Sequence, residues 1–220
     1  MPRRDAALPH TPDLPAALEP AEIGELSHDV SYTETELVDA VLSDQQANGV
    51  TFDAARLLNV ELAGSRLNDL RLTDTELRRC NLANTRAQRA EATRVSFDGC
   101  RMTGIQLSEA TLRDVTIRDC RVDLASFGFS QLTRVTFENC VLDQSDFLEC
   151  RLESVRFHSC QLTRADFRGA RMQHCEFRRS NLNDVQGIES LRGAAMEWAD
   201  IIDMAGIWAA ALGIEVLDSD

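Results

Sequence analysis

The sequence predicts an all-β fold: a four-sided coil of about 20 residues per turn, its bore filled by side chains, followed by a C-terminal helix. Three observations carry this expectation. Large apolar residues recur at every fifth position, small residues sit two places before them, and cysteine recurs at every twentieth position.

From Phe52 to Leu182, in steps of five, all 27 positions are apolar and the frame never slips. Two places earlier stand Val50, Ala55, Val60, Ser65 and so on to Val185, almost all small, with Leu70 and Ile105 the larger exceptions. A period of five fits neither a helical stripe at 3.6 nor a long strand alternating at 2. It does fit a short extended segment with two inward side chains, then a change of direction. Cys80, Cys100, Cys120, Cys140 and Cys160 recur every 20 residues, which stacks them in one column of a four-walled coil. Phenylalanine recurs every ten residues from Phe127 to Phe177, which places it on two opposite walls. Rings facing each other across the axis fill a narrow bore without voids. Earlier positions keep the frame, with Leu37, Leu42 and Tyr32 in register, so the coil is expected over residues 27–186.

The repeat resembles the pentapeptide-repeat family, whose consensus is A(D/N)LXX. Ala165-Asp166-Phe167-Arg168-Gly169, Cys80-Asn81-Leu82-Ala83-Asn84 and Ser180-Asn181-Leu182-Asn183-Asp184 carry the likeness. The resemblance implies a right-handed quadrilateral β-helix, a solenoid in which each turn touches only its neighbours. The segment Leu212-Gly213-Ile214-Glu215-Val216 also resembles the tail of the quinolone-resistance subgroup, the Qnr-type and MfpA-type proteins. That likeness implies a DNA-mimicking modulator of DNA gyrase or another type II topoisomerase, cytoplasmic and dimeric through its C-terminus. The unbroken frame suits the loopless MfpA-type arrangement.

The ends differ from the body. Residues 1–26 hold all five prolines and read as an arm that lacks a fixed fold or forms an irregular cap. Within residues 187–220, Met196 to Leu212 reads as one helix, with Trp198, Ile201, Ile202, Ala205, Trp208 and Leu212 on a broad apolar face. Gly213 to Leu217 reads as a short closing strand. The apolar face is expected either to cap the last coil or to join two copies as a homodimer.

Charge limits function. The net charge is -13, which argues against direct nucleic-acid binding. Its placement also weakens the mimic reading. Residues 1–50 carry 10 acids and 2 bases, residues 51–185 carry 19 and 20, and residues 186–220 carry 7 and 1. The four walls of the body come to +1, +2, -1 and -1. Mixed signs cancel within a Debye length, so the body has no phosphate-like stripe.

No apolar stretch approaches the roughly 20 residues of a membrane span. No leader precedes the repeats, so the seven cysteines are expected to be reduced cytoplasmic thiols, small hydrophobes at the inward position. The histidines are scattered and no CxxC pair occurs, so no metal and no cofactor are expected. Asp146 and Asp166 lie 20 apart on one wall, but on a convex surface, and no nucleophile motif accompanies them, so an enzyme is not expected. Leu124, Phe129 and Leu148 break the outward polar rule together, with Asp143, Asp146, Glu149 and Glu109 around them. An apolar patch with an acidic rim is a candidate partner surface. The reading set beside it is a modestly exposed corner covered by the arm. Two function classes remain: a topoisomerase modulator, and a protein-interaction scaffold with another partner.

Overall fold

A computed structural model describes residues 6–211 and 213–216. The chain winds as a four-walled parallel β-helix of about nine turns. Residue i stacks on residue i+20 throughout: Leu72 on Ala92, Ala92 on Leu112, Leu112 on Leu132. Two adjacent walls run as strands, merged into eight-residue strands at Arg71–Arg78, Glu91–Asp98, Thr111–Arg118 and Gln131–Glu138. The other two walls pair through single bridges such as Glu61 with Asn81, and they close with tight turns such as Ser130 N–H to the Phe127 carbonyl.

The bore is packed as the period demands. Phe127, Phe147 and Phe167 stack face to face with centroids 4.9 and 5.0 Å apart. Phe137, Phe157 and Phe177 form a second stack at 5.1 and 4.8 Å. The two stacks meet edge to face across the axis at 5.7–6.2 Å, the geometry that aromatic quadrupoles favour. The smaller inward residue does more than leave room. Thr75 Oγ1, Cys80 Sγ and Ser130 Oγ each donate to the carbonyl 23 residues earlier, on Phe52, Leu57 and Leu107. A buried carbonyl on the bore side thereby gains a partner. All seven cysteines are buried and free. Burial holds the Cys150 thiol up at about 12 and the Cys175 thiol at about 11, so both stay protonated and inert at neutral pH.

Every fifth residue from Asp29 to Asp184 has a left-handed backbone. Most are not glycine, and each such conformation costs about 1–2 kcal/mol. The corner N–H compensates by donating to the next coil, as from Asp29 to the Asn48 carbonyl at 2.9 Å.

From residue 6 on, the arm follows a definite course. Glu19–Pro20 adds a short parallel strand to Thr35–Val38, and Leu26 is buried against the first coil. At the other end, Ala195–Met196 pairs with Glu176 and Phe177. The single helix expected from Met196 to Leu212 is instead two, Trp198–Asp203 and Ala205–Ala211, broken at Met204. Met204, where the two helices meet, is 3% exposed and packs against the hydrophobic core. Gly213 to Val216 form no strand, because Ala195–Met196 already occupies the last edge that Phe177 offers; Leu217 lies outside the described residues.

One stretch of the bore is thin. Ala87 and Ala92 stand where other coils place Leu or Phe, and beside them lies a void of about 30 Å³ lined by Leu70, Leu72, Leu82, Leu107 and Leu112. A void lined only by apolar groups offers water no hydrogen-bond partner and forfeits dispersion contacts. Ala92→Leu continues the column of Leu72 and Leu112 and is expected to stabilise by about 0.7 kcal/mol, at roughly 24 cal/mol per Å³. Thermal or urea unfolding checks this; a lower midpoint means the void is already closed to a larger side chain.

Candidate partner-binding surfaces

Leu124 and Phe129 sit at adjacent left-handed corners of one coil, with φ of 59° and 62°. Their side chains are 54% and 57% exposed. The ladder brings the predicted rim to them: Leu124 N–H donates to the Asp143 carbonyl at 2.9 Å and Phe129 N–H to the Leu148 carbonyl at 2.8 Å. Leu148 is half-buried and Glu149 exposed. Asp143 accepts the Thr163 N–H at 2.8 Å, and Asp146 accepts the Leu148 N–H at 2.8 Å and the Ser126 hydroxyl at 3.3 Å. Gly128 lies between the two corners, and a Cβ there would stand 3.1 Å from Asp146 Oδ2. The described part of the arm, from residue 6 on, hydrogen-bonds at Asp74, Asp114 and Arg156 and pairs with Thr35–Val38, away from this patch.

Half of the other carboxylates of the body are held by arginine. Asp69 pairs with Arg89, Asp74 with Arg94 and Asp114 with Arg134, each one coil further on. Arg56 lies between Glu36 and Glu76 at 3.2 and 2.9 Å. Asp166 pairs with Arg168 at 2.6 Å, so it is not a free partner for Asp146. Glu176 is buried, with His158 Nε2 at 2.8 Å, Arg156 at 3.2 Å and Arg178 at 3.1 Å. Burial pushes Glu176 up, but these three neighbours outweigh it and leave its carboxyl below the ordinary range. The Arg134 guanidinium, against the opposing effect of burial, holds Asp114 down at about 2. The spacing of acid and arginine by 20 was visible in the sequence, yet counting charge wall by wall averages it away.

The C-terminal residues divide. Trp208 is partly buried against the core, and its Nε1 is buried without a hydrogen-bond partner. Trp198, Ile201 and Ile202 are exposed, Trp198 by 75%. Ala205 is exposed too. Leu212 lies outside the described residues. Among the described residues, no group of three or more His, Cys, Asp and Glu gathers as a metal site, and no helix is long and apolar enough to cross a membrane.

A family model described as "Pentapeptide repeat region" matches residues 70–147 and 126–186. The chain belongs to the pentapeptide-repeat family. Among solved structures it is similar to trypsin-treated QnrB1, a plasmid-mediated fluoroquinolone resistance protein. The identity is 16%, covering 91% of this chain and 97% of that one, with a TM-score of 0.39. It is also similar to HetL, a pentapeptide repeat protein involved in heterocyst differentiation regulation from the cyanobacterium Nostoc sp. strain PCC 7120. There the identity is 15%, covering 79% and 90%, with a TM-score of 0.35. No curated protein matches the chain. For this pentapeptide-repeat protein, then, a partner must be argued from its own surface.

The arginine-held carboxylates set an acid dependence. Asp74, Asp114 and Glu176 have folded values below their unfolded ones, so the unfolded chain binds more protons as pH falls. Their contribution is full above the ordinary carboxylate value of 3.8 for Asp and is lost as pH drops toward the folded value, about 2 for Asp114. The melting temperature is expected to fall steeply between about pH 4 and pH 2, and Asp114→Asn to flatten that slope. An unchanged slope in the variant would remove Asp114 from the account.

Proposed function

We propose that the protein is a non-catalytic interaction rod that grips a partner protein through Leu124, Phe129 and Leu148, with Asp143, Asp146 and Glu149 steering basic groups of the partner. One observation carries the reading. Two large apolar side chains stand more than half exposed at corners where the backbone favours glycine, asparagine or aspartate. Folding alone does not select them, and an apolar centre with a polar rim is the anatomy of an interface.

The subgroup likeness makes DNA gyrase, or another type II topoisomerase, the first partner to test. A duplex mimic needs a run of unpaired negative charge, whereas Asp69, Asp74 and Asp114 are each neutralised by an arginine. A topoisomerase therefore enters through the apolar patch rather than as a reader of a phosphate-like stripe. Affinity capture from a lysate, run beside a gyrase supercoiling assay, tests both levels. Phe129→Asn with Leu124→Asn is expected to weaken capture roughly tenfold or more, because buried interface anchors carry about 2 kcal/mol. The same variant should melt no lower than the parent, since asparagine tolerates the left-handed corner better. Equal capture by parent and variant overturns the patch. Capture without any effect on gyrase identifies a scaffold with another partner.

We also propose that two copies join through Trp198, Ile201 and Ile202, with Ala205 beside them, while Trp208 serves the cap. A tryptophan 75% exposed beside two exposed isoleucines supports this. Light scattering is expected to give about twice 24.5 kDa for the parent and the single-chain mass for Trp198→Glu. A monomeric parent ends the dimer.

A further inference from the structure

The arm is built on a three-residue step. Pro9, Pro12 and Pro15 are each half-buried against the solenoid, while Leu8 before them and Thr11 between the first two face solvent. Proline fixes its own φ, and the residue before it is driven to extended backbone. These constraints favour a polyproline II course from Leu8 to Pro15, which has no internal hydrogen bonds and leaves N–H groups free to donate. The residue after each of the first two prolines uses that freedom. His10 N–H donates to Asp114 Oδ1 at 3.1 Å, and Asp13 N–H donates to Asp74 Oδ1 at 2.9 Å.

The register has a physical cause. Asp74 and Asp114 occupy one corner column, two coils apart. Two coils advance about 9.6 Å. Three residues of polyproline II advance about 9.3 Å. The two repeats match, so the Pro9-X-X-Pro12 step carries the chain from the carboxylate that holds His10 to the one that holds Asp13. Arginines one coil further on hold those carboxylates in place, with Arg94 Nε 2.6 Å from Asp74 and Arg134 Nε 2.6 Å from Asp114. A carboxylate fixed by arginine and still accepting a backbone N–H is a strong, directed acceptor. Past Asp114 the column changes to Ser154, and there the Arg156 guanidinium donates to the Ala6 carbonyl instead.

We propose that this corner is a recognition groove for extended proline-rich peptides of Pro-X-X-Pro register, and that residues 6–16 of this chain are its resident, exchangeable occupant. The groove is separate from the partner surface around Phe129 and stands or falls independently of it. It reads backbone N–H groups by spacing, with the His10 ring adding one side-chain contact, Nδ1 to Asp114 Oδ1 at 3.2 Å, so a Pro-X-X-Pro segment from another chain competes for it.

The test uses the full chain with Leu8→Cys carrying a nitroxide. Leu8 is 65% exposed, and the seven native thiols are buried. The expected spectrum is immobilised. Asp74→Ala with Asp114→Ala should release the label, while unfolding by circular dichroism shows whether the coil persists. A synthetic peptide of residues 6–16, added to the unaltered groove, should release it at millimolar concentration, the order of a tethered segment's effective concentration. The same peptide with both Pro9 and Pro12 replaced by alanine should need roughly tenfold more, having lost its extended bias. A label already mobile in the parent, one that no peptide displaces, or equal competition by the alanine peptide overturns the proposal.

Discussion

The left-handed corner repeated at every fifth residue from Asp29 to Asp184 is the constraint on which everything else rests. It turns the chain through each corner, and it fixes the phase of the inward side chains. One corner out of phase would carry a phenylalanine to the outside. The conformation is locally unfavourable for most of the residues that adopt it. It persists because the corner N–H groups up to the last coil donate to the coil that follows, so adjacent turns enforce each other. No corner is stable alone, which is the cooperative logic of a solenoid.

Much of this was legible in the sequence, and the reason is volume. A bore admits one large side chain per wall, so the five-residue frame and the two phenylalanine columns appear directly as spacing. The corners were not legible. Arg94, Leu124, Phe129 and Asp184 share a backbone conformation but no chemistry, because the ladder imposes it from outside. The smaller inward residue was read as small, which is half of its role; the hydroxyl or thiol of Thr75, Cys80 and Ser130 also serves a carbonyl on the preceding coil. The C-terminal helix read as continuous because its apolar spacing is continuous. The two helices meet at Met204, which is buried against the core, a tertiary demand that periodicity does not carry.

The candidate partner surface shows the same division. Leu124, Phe129 and Leu148 stood out as exceptions to a strict rule, so the sequence located them. Their union into one patch follows from the 20-residue stacking that puts Leu148 and Asp143 against them. The arm's path was hidden, since it depends on two aspartates 61 and 104 residues away from their donors. On the body, pairing matters more than counting. An acid with an arginine one turn later presents a stiff dipole to a partner, where an unpaired acid presents a charge.

The thin stretch at Ala87 and Ala92 has a mechanical consequence. Where dispersion between turns is least, a rod under load fractures first, into a lower and an upper stub. Asp13 is fastened to Asp74 below that plane, and His10 to Asp114 above it. The amino-terminal segment thus acts as a splint, bound on both sides of the weakest joint.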